Sequence, residues 1–148
     1  LQALAPQPLD RVLEVGTGSG YLTVLLARLS AHVVTVELSQ SLHSQAQARF
    51  KARGVRNISP MLGDGSKGWV SESPYDVMVF TGSMPRLDSG LAQQLKVGGR
   101  LFAIVGRSPA MEALLITRVG ADAWSTTSLF ETVVATLAGT EKPRAFQL

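Results

Sequence analysis

Val12-Leu13-Glu14-Val15-Gly16-Thr17-Gly18-Ser19-Gly20-Tyr21, with Val33-Val34-Thr35-Val36-Glu37-Leu38 after it, decides the reading of this chain. Val12, Leu13 and Val15 form a short apolar run of the kind buried in parallel sheets. Gly16, Gly18 and Gly20 alternate with Thr17 and Ser19; glycines there allow positive φ and let a ligand lie close to the backbone. Leu22, Leu25, Leu26 and Leu29 then repeat at i, i+3, i+4 and i+7, so a helix is expected with that stripe packed on the sheet. Glu37 ends the next apolar strand, about 20 residues beyond the first glycines, where a dinucleotide-type fold places an acid to accept ribose hydroxyls. Strand, glycine turn, helix, strand and acid together read as a nucleoside site.

The spacing narrows the choice of nucleoside. A dinucleotide fingerprint, G-x-G-x-x-G, turns a helix N-terminus toward a pyrophosphate. Here Gly20 comes one residue early and Tyr21 takes the last glycine's place. Glu14, two residues before the first glycine, is expected to face the ligand, where it suits a cation far better than a pyrophosphate. S-adenosylmethionine carries a sulfonium and an ammonium group and no phosphate. E-x-G-x-G-x-G resembles the first motif of class I methyltransferases, which argues against NAD.

Composition sets the outer limits. The 148 residues are enough for one domain with a sizeable core. With 45% hydrophobic and 17% charged residues, the chain reads as an ordinary globular domain. No apolar run approaches the roughly 20 residues of a membrane span, and no signal pattern is seen. The sequence has no cysteine, so thiolate metal sites, disulfides and cysteine nucleophiles are excluded; no metal is expected, and a cytoplasmic setting is. Net charge is +3. The basic cluster Arg49, Lys51, Arg53 and Arg56 closes an expected helix, where cations complement the dipole, and no interleaved aromatics offer bases a stacking surface. Nucleic acid and membrane partners are therefore not expected. Leu1 is not a methionine, and Gln2-Ala3-Leu4 reads like the tail of a helix, so the chain is expected to begin inside a larger protein.

In chain order, Pro6 and Pro8 break a lead-in before the first strand. Ser39 or Ser41 is expected to cap a second helix that buries Leu42, Ala46 and Phe50 and stops at Gly54. Asn57 to Leu62 reads as a third strand, set at a sheet edge by Pro60 as in the order 3-2-1-4-5. Gly63-Asp64-Gly65 follows at that strand's carboxyl end, where open α/β sheets bind ligands, so Asp64 is expected to accept from an adenine amine. Tyr75 to Phe80 is the fourth strand, followed by a loop, Thr81-Gly82-Ser83-Met84-Pro85. Leu87, Leu91 and Leu95 mark a helix, Val97-Gly98-Gly99 a turn, and Arg100 to Val105 the fifth strand. Met111 to Val119 and Trp124 to Val134 read as an antiparallel pair completing seven strands. The tail from Ala138 is expected to cover the sheet edge. His32 and His43 read as packing or solvated residues. The expected fold is a Rossmann-like α/β domain over 1–148: a mostly parallel seven-stranded sheet with helices on both faces.

Val-Leu-Glu-Val-Gly-Thr-Gly-Ser-Gly-Tyr, Thr-Val-Glu, Gly-Asp-Gly-x-x-Gly-Trp (Gly63 to Trp69), Pro-Tyr-Asp-Val and Leu-Lys-x-Gly-Gly-Arg-Leu together resemble the protein-L-isoaspartate O-methyltransferase family over roughly Leu9 to Gly106. The resemblance implies methyl transfer from S-adenosylmethionine to the carboxyl group of L-isoaspartyl residues in damaged proteins, a repair reaction, by a monomer. It implies that Glu14, Gly16, Thr17, Gly18 and Gly20 line the methionine and ribose part of the cofactor. Glu37 would bind the ribose hydroxyls, with Leu38 beside the adenine, Asp64 and Gly65 at its edge and face, and Tyr21 and Thr81 nearby. It further implies a serine-containing substrate loop in a segment preceding the first strand, which these residues do not include; no catalytic residue is therefore assigned. The chain departs from the family at Gly82-Ser83-Met84, within Thr81-Gly82-Ser83-Met84-Pro85, where the family usually reads Thr-Ala-Ala-Pro. That departure leaves as an alternative a divergent member acting on a small molecule, and the substrate-loop segment that these residues do not include leaves another, a non-catalytic cofactor-binding module.

Overall fold

The structure, a computed structural model, describes residues 1–140. Seven strands form one sheet in the order β3-β2-β1-β4-β5-β6-β7. β1 (Arg11–Val15), β2 (His32–Glu37), β3 (Ile58–Leu62), β4 (Tyr75–Met84) and β5 (Leu95–Arg107) run parallel, and β6 (Ala110–Gly120) and β7 (Ala123–Thr132) are added antiparallel. β3 lies at the edge, as Pro60 requires, because a residue without an N–H cannot donate to two neighbours.

Helices α1 (Tyr21–Leu29) and α2 (Gln40–Ala52) connect β1 to β2 and β2 to β3. α1 buries Thr23, Val24, Leu26 and Ala27, while Leu22 and Leu25 are half-buried and Leu29 is exposed. The buried face is thus turned from the expected leucine stripe toward two small residues, and the threonine on it acquires a polar partner described below. Ser39 caps α2, its hydroxyl accepting from the Leu42 amide at 3.3 Å. Ala46 and Phe50 are buried as expected, but Leu42 is exposed.

Two apolar layers flank the sheet. On the α1 side, Leu26 and Ala27 pack on Val12, Val33, Val77 and Val79, with Leu4 of the lead-in beside them. Arg100 fastens that lead-in, donating to the Leu4 carbonyl at 2.5 Å and pairing with Asp10 at 3.3 Å. The opposite layer holds Leu13, Val34, Tyr75, Met78, Phe80, Leu91 and Leu101, with Trp69 and Leu87 against it. Helical structure on that side is slight: a 3-10 turn at Val70–Glu72 and the single turn α3 (Ser89–Ala92). Among the described residues, no helix is long and apolar enough to cross a membrane.

Three segments differ from the sequence reading. The helix expected over Leu87, Leu91 and Leu95 is only α3, because Leu95 already pairs with Tyr75 and the Tyr75 amide donates to the Gln94 carbonyl at 2.8 Å. Val97-Gly98-Gly99 is consequently an irregularity inside β5, where the register shifts between Tyr75 and Val77. The loop expected at Thr81 to Met84 is strand: after a second register shift, Ser83 and Met84 pair with Ile104 and Val105. Finally, the tail does not run along a sheet edge where it is described. Ser83 bridges to Thr136, the Leu137 amide donates to the Ser83 carbonyl at 2.7 Å, and Gly139 lies against the Asp64 carboxylate. It crosses the carboxyl end of the sheet; the rest of the expected cover, 141–148, lies outside the described residues.

Candidate functional site

Three loops meet at the carboxyl ends of the parallel strands: Gly16 to Gly20 after β1, Leu38 and Ser39 after β2, and Gly63 to Ser66 after β3. The first is held from several sides. Gly16, at φ 94°, donates its amide to the Val36 carbonyl at 2.9 Å. Its carbonyl accepts from the Thr81 hydroxyl at 2.7 Å, and a Cβ on Gly16 would sit 2.1 Å from that hydroxyl oxygen. Gly20, at φ 82°, is the N-cap of α1, and the Arg49 guanidinium of α2 donates to the Ser19 carbonyl at 2.8 Å. At Gly18 a Cβ would meet nothing within 4 Å among the described residues, so the middle of the loop is open on their side.

Glu37 anchors the second loop to the first. Only 9% exposed, it accepts the Gly18 amide on Oε1 and the Ser39 amide on Oε2, each at 2.9 Å. A carboxylate has about four lone-pair sites, so two remain for hydroxyl donors outside the protein. Leu38 next to it is half-exposed. In the third loop, Asp64 is exposed and accepts the Ser66 amide on Oδ1 at 2.9 Å, forming a local turn, while Gly65 is buried against Val15 and Val36. Tyr21 is 68% exposed at the start of α1.

Glu14 lies elsewhere than its sequence position suggests. Strand alternation puts it on the α1 side with Val12, where it is fully buried and does not face the crevice. Its Oε1 accepts the hydroxyls of Thr23 and of Thr35, the latter at 2.7 Å, and the Thr17 and Thr35 hydroxyls are 2.6 Å apart. Oε2 has no partner among the described residues. Burial, opposed by the two threonine hydrogen bonds and assisted by the nearby Glu37 charge, pushes the carboxyl up to about 7. The folded state therefore holds a proton that the unfolded chain releases from about pH 4.5 upward. This group's contribution is most favourable below that value and is lost as pH rises to about 7. Between about pH 5 and pH 8, the Glu14→Gln variant should lose about 2.5 kcal/mol less unfolding free energy than the parent. Denaturant unfolding at both pH values measures this; equal losses would contradict it.

Some of these contacts had no signal in the sequence. Thr23 and Thr35 reach Glu14 only because α1 and β2 pack on β1, and Arg49 touches the glycine loop only through the placement of α2. His32 bonds Ser59 at 2.8 Å at the start of β2, away from the carboxyl-end loops.

A mostly parallel sheet in this order, with an acid-x-Gly-x-Gly-x-Gly loop at its carboxyl end and an acid closing the second strand, defines a Rossmann-like domain of the class I methyltransferase type. Comparison with known proteins narrows this. The family described as protein-L-isoaspartate(D-aspartate) O-methyltransferase matches residues 1–144, and the chain belongs to that family. A protein-L-isoaspartate O-methyltransferase from Desulfosudis oleivorans is 44% identical over 117 residues, which cover 79% of this chain and 53% of that one. A solved protein-L-isoaspartate O-methyltransferase superposes with a TM-score of 0.85 at 28% identity, covering 94% of this chain and 45% of its own. A Thiobacillus denitrificans S-adenosylmethionine-dependent methyltransferase, crystallised with S-adenosylhomocysteine, gives 0.59 at 31% identity over 70% of this chain and 44% of that one. The chain spans about half the length of the curated relatives it matches.

Proposed function

We propose that this chain forms the S-adenosylmethionine-binding part of an enzyme that methylates the carboxyl group of L-isoaspartyl residues in damaged proteins. The observation that carries the reading is the Glu37 carboxylate, held by the Gly18 and Ser39 amides with lone pairs to spare beside an open glycine loop. Family membership and the bound product in a structural relative support it.

In this reading Gly16, Thr17, Gly18 and Gly20 bound the methionine and ribose part, and Glu37 accepts both ribose hydroxyls. Leu38 and Gly65 sandwich the adenine, and Asp64 accepts from its amine. Thr81 fixes the Gly16 carbonyl, Tyr21 flanks the loop, and Glu14 acts from beneath, its carboxyl fixing Thr23 and Thr35, and through Thr35 the Thr17 hydroxyl of the loop. The cofactor supplies an electrophilic methyl group on a cationic sulfur. An ionised substrate carboxylate is already a nucleophile, so the protein's part is to align it and exclude water rather than to move protons. We place the reaction in the cytoplasm, in keeping with the cysteine-free sequence, and on protein rather than nucleic acid, in keeping with the mild net charge; the enzyme is read as a monomer.

The test is methyl transfer from labelled S-adenosylmethionine to an isoaspartyl peptide and to its aspartyl isomer, using this chain and the longer protein. Base-labile methyl ester on the isoaspartyl peptide alone is expected from the longer protein. Cofactor binding without ester formation on that peptide would overturn the substrate.

A further inference from the structure

Next to the crevice lies a second concavity, of about 510 Å³, that the cofactor reading does not use. It adjoins the crevice at two points: Gly139, against the Asp64 carboxylate, lines it, and so does Met84, three residues beyond Thr81 on β4. Its walls carry three cations from three different segments: Lys67 after β3, Arg86 after β4, and Arg107 at the end of β5. Among the described residues, none of the three is in an ion pair; the pairs there are Arg11–Glu72, Lys96–Asp76 and Arg100–Asp10. Among the described residues the one acid of the lining is Asp88, whose Oδ1 accepts the Gly90 amide at 2.8 Å. Three cations against one carboxylate leave the described lining net positive, which favours an anionic occupant.

The lining also says what kind of anion fits. Met84 and Leu87 supply apolar surface, and the volume exceeds what one small inorganic ion fills. No aromatic side chain lines it among the described residues, so nucleobases have nothing to stack on. An extended peptide with acidic side chains matches both the charge and the apolar surface. We propose that this cavity, walled by Lys67, Arg86 and Arg107, is a substrate subsite that takes acidic residues flanking the methyl-accepting residue of a polypeptide. The inference rests on the methyltransferase reading above, because it needs the acceptor delivered at the neighbouring crevice. It makes the chain selective for damage within acidic stretches, with selectivity that weakens in salt as such contacts are screened.

The experiment titrates this chain, saturated with S-adenosylhomocysteine, with a short isoaspartyl peptide flanked by glutamates and with its glutamine-flanked counterpart. The acidic peptide is expected to bind about tenfold more tightly at low salt, as two or three exposed charge pairs allow. The preference should vanish in the Arg86→Glu, Arg107→Glu double variant while S-adenosylhomocysteine affinity stays the same. Equal binding of both peptides by the parent chain would overturn the subsite, and that arm needs no variant to fold. Tighter binding of a single-stranded oligonucleotide than of the acidic peptide would overturn it in favour of nucleic acid. If S-adenosylhomocysteine itself fails to bind, the cofactor reading falls and the subsite's role beside a methyl acceptor falls with it, whereas equal peptide binding by the cofactor-loaded chain overturns the subsite alone.

Discussion

Gly16→Ala is expected to destabilise the domain by about 3 kcal/mol, the sum of a left-handed backbone penalty and a steric clash. Gly16 has φ 94°, and the new Cβ would fall 2.1 Å from the Thr81 hydroxyl oxygen and 3.4 Å from Leu137. To relieve this, Thr81 must swing away and give up its bonds to the Val15 and Gly16 carbonyls, at 3.1 and 2.7 Å. Gly18→Ala serves as the comparison, since its φ of 54° carries the backbone cost but its Cβ would meet nothing within 4 Å. Its expected loss is about 1 kcal/mol. Denaturant unfolding of both variants measures the difference, and equal losses would show that the Thr81 contact does not hold the loop.

Glu37→Ala should weaken S-adenosylhomocysteine binding by about 1–3 kcal/mol, the order expected when a hydrogen-bonded charge is removed. Two effects act together. The ribose loses its acceptor, and the Gly18 and Ser39 amides lose theirs, so the loop that shapes the crevice loosens as well. Glu37→Gln separates them: its one carbonyl oxygen can hold only one of the two acceptor positions, so an intermediate loss is expected. Titration calorimetry on the three proteins reads this directly. Undiminished affinity in Glu37→Ala would mean that the ribose is bound elsewhere.

Local pattern made much of this molecule legible. The glycine spacing, the apolar runs and Pro60 were enough to set β1, β2 and β3 in order, because a glycine turn, a β-branched run and a missing N–H each restrict the backbone on their own. The positions of Glu37, Gly16 to Gly20 and Asp64 at the carboxyl ends of those strands are legible for the same reason. What escaped was set by partners distant in the chain. The fourth strand runs on through Thr81 to Met84 because Ile104 and Val105 pair with it and Thr136 bridges to it, and nothing within Thr-Gly-Ser-Met signals that. Leu95 fits a helical repeat with Leu87 and Leu91, yet pairing with Tyr75 claims it for β5. Glu14 stands out in the sequence, but its burial under α1 depends on Thr23 and Thr35, nine and twenty-one residues away.

The central claim is that the glycine loop, Glu37 and Asp64 form one nucleoside crevice for a sulfonium cofactor. Calorimetric titration of this chain with S-adenosylhomocysteine, with NAD as control, tests it most directly. The account predicts saturable binding of S-adenosylhomocysteine and none of NAD. Binding of NAD alone would contradict it.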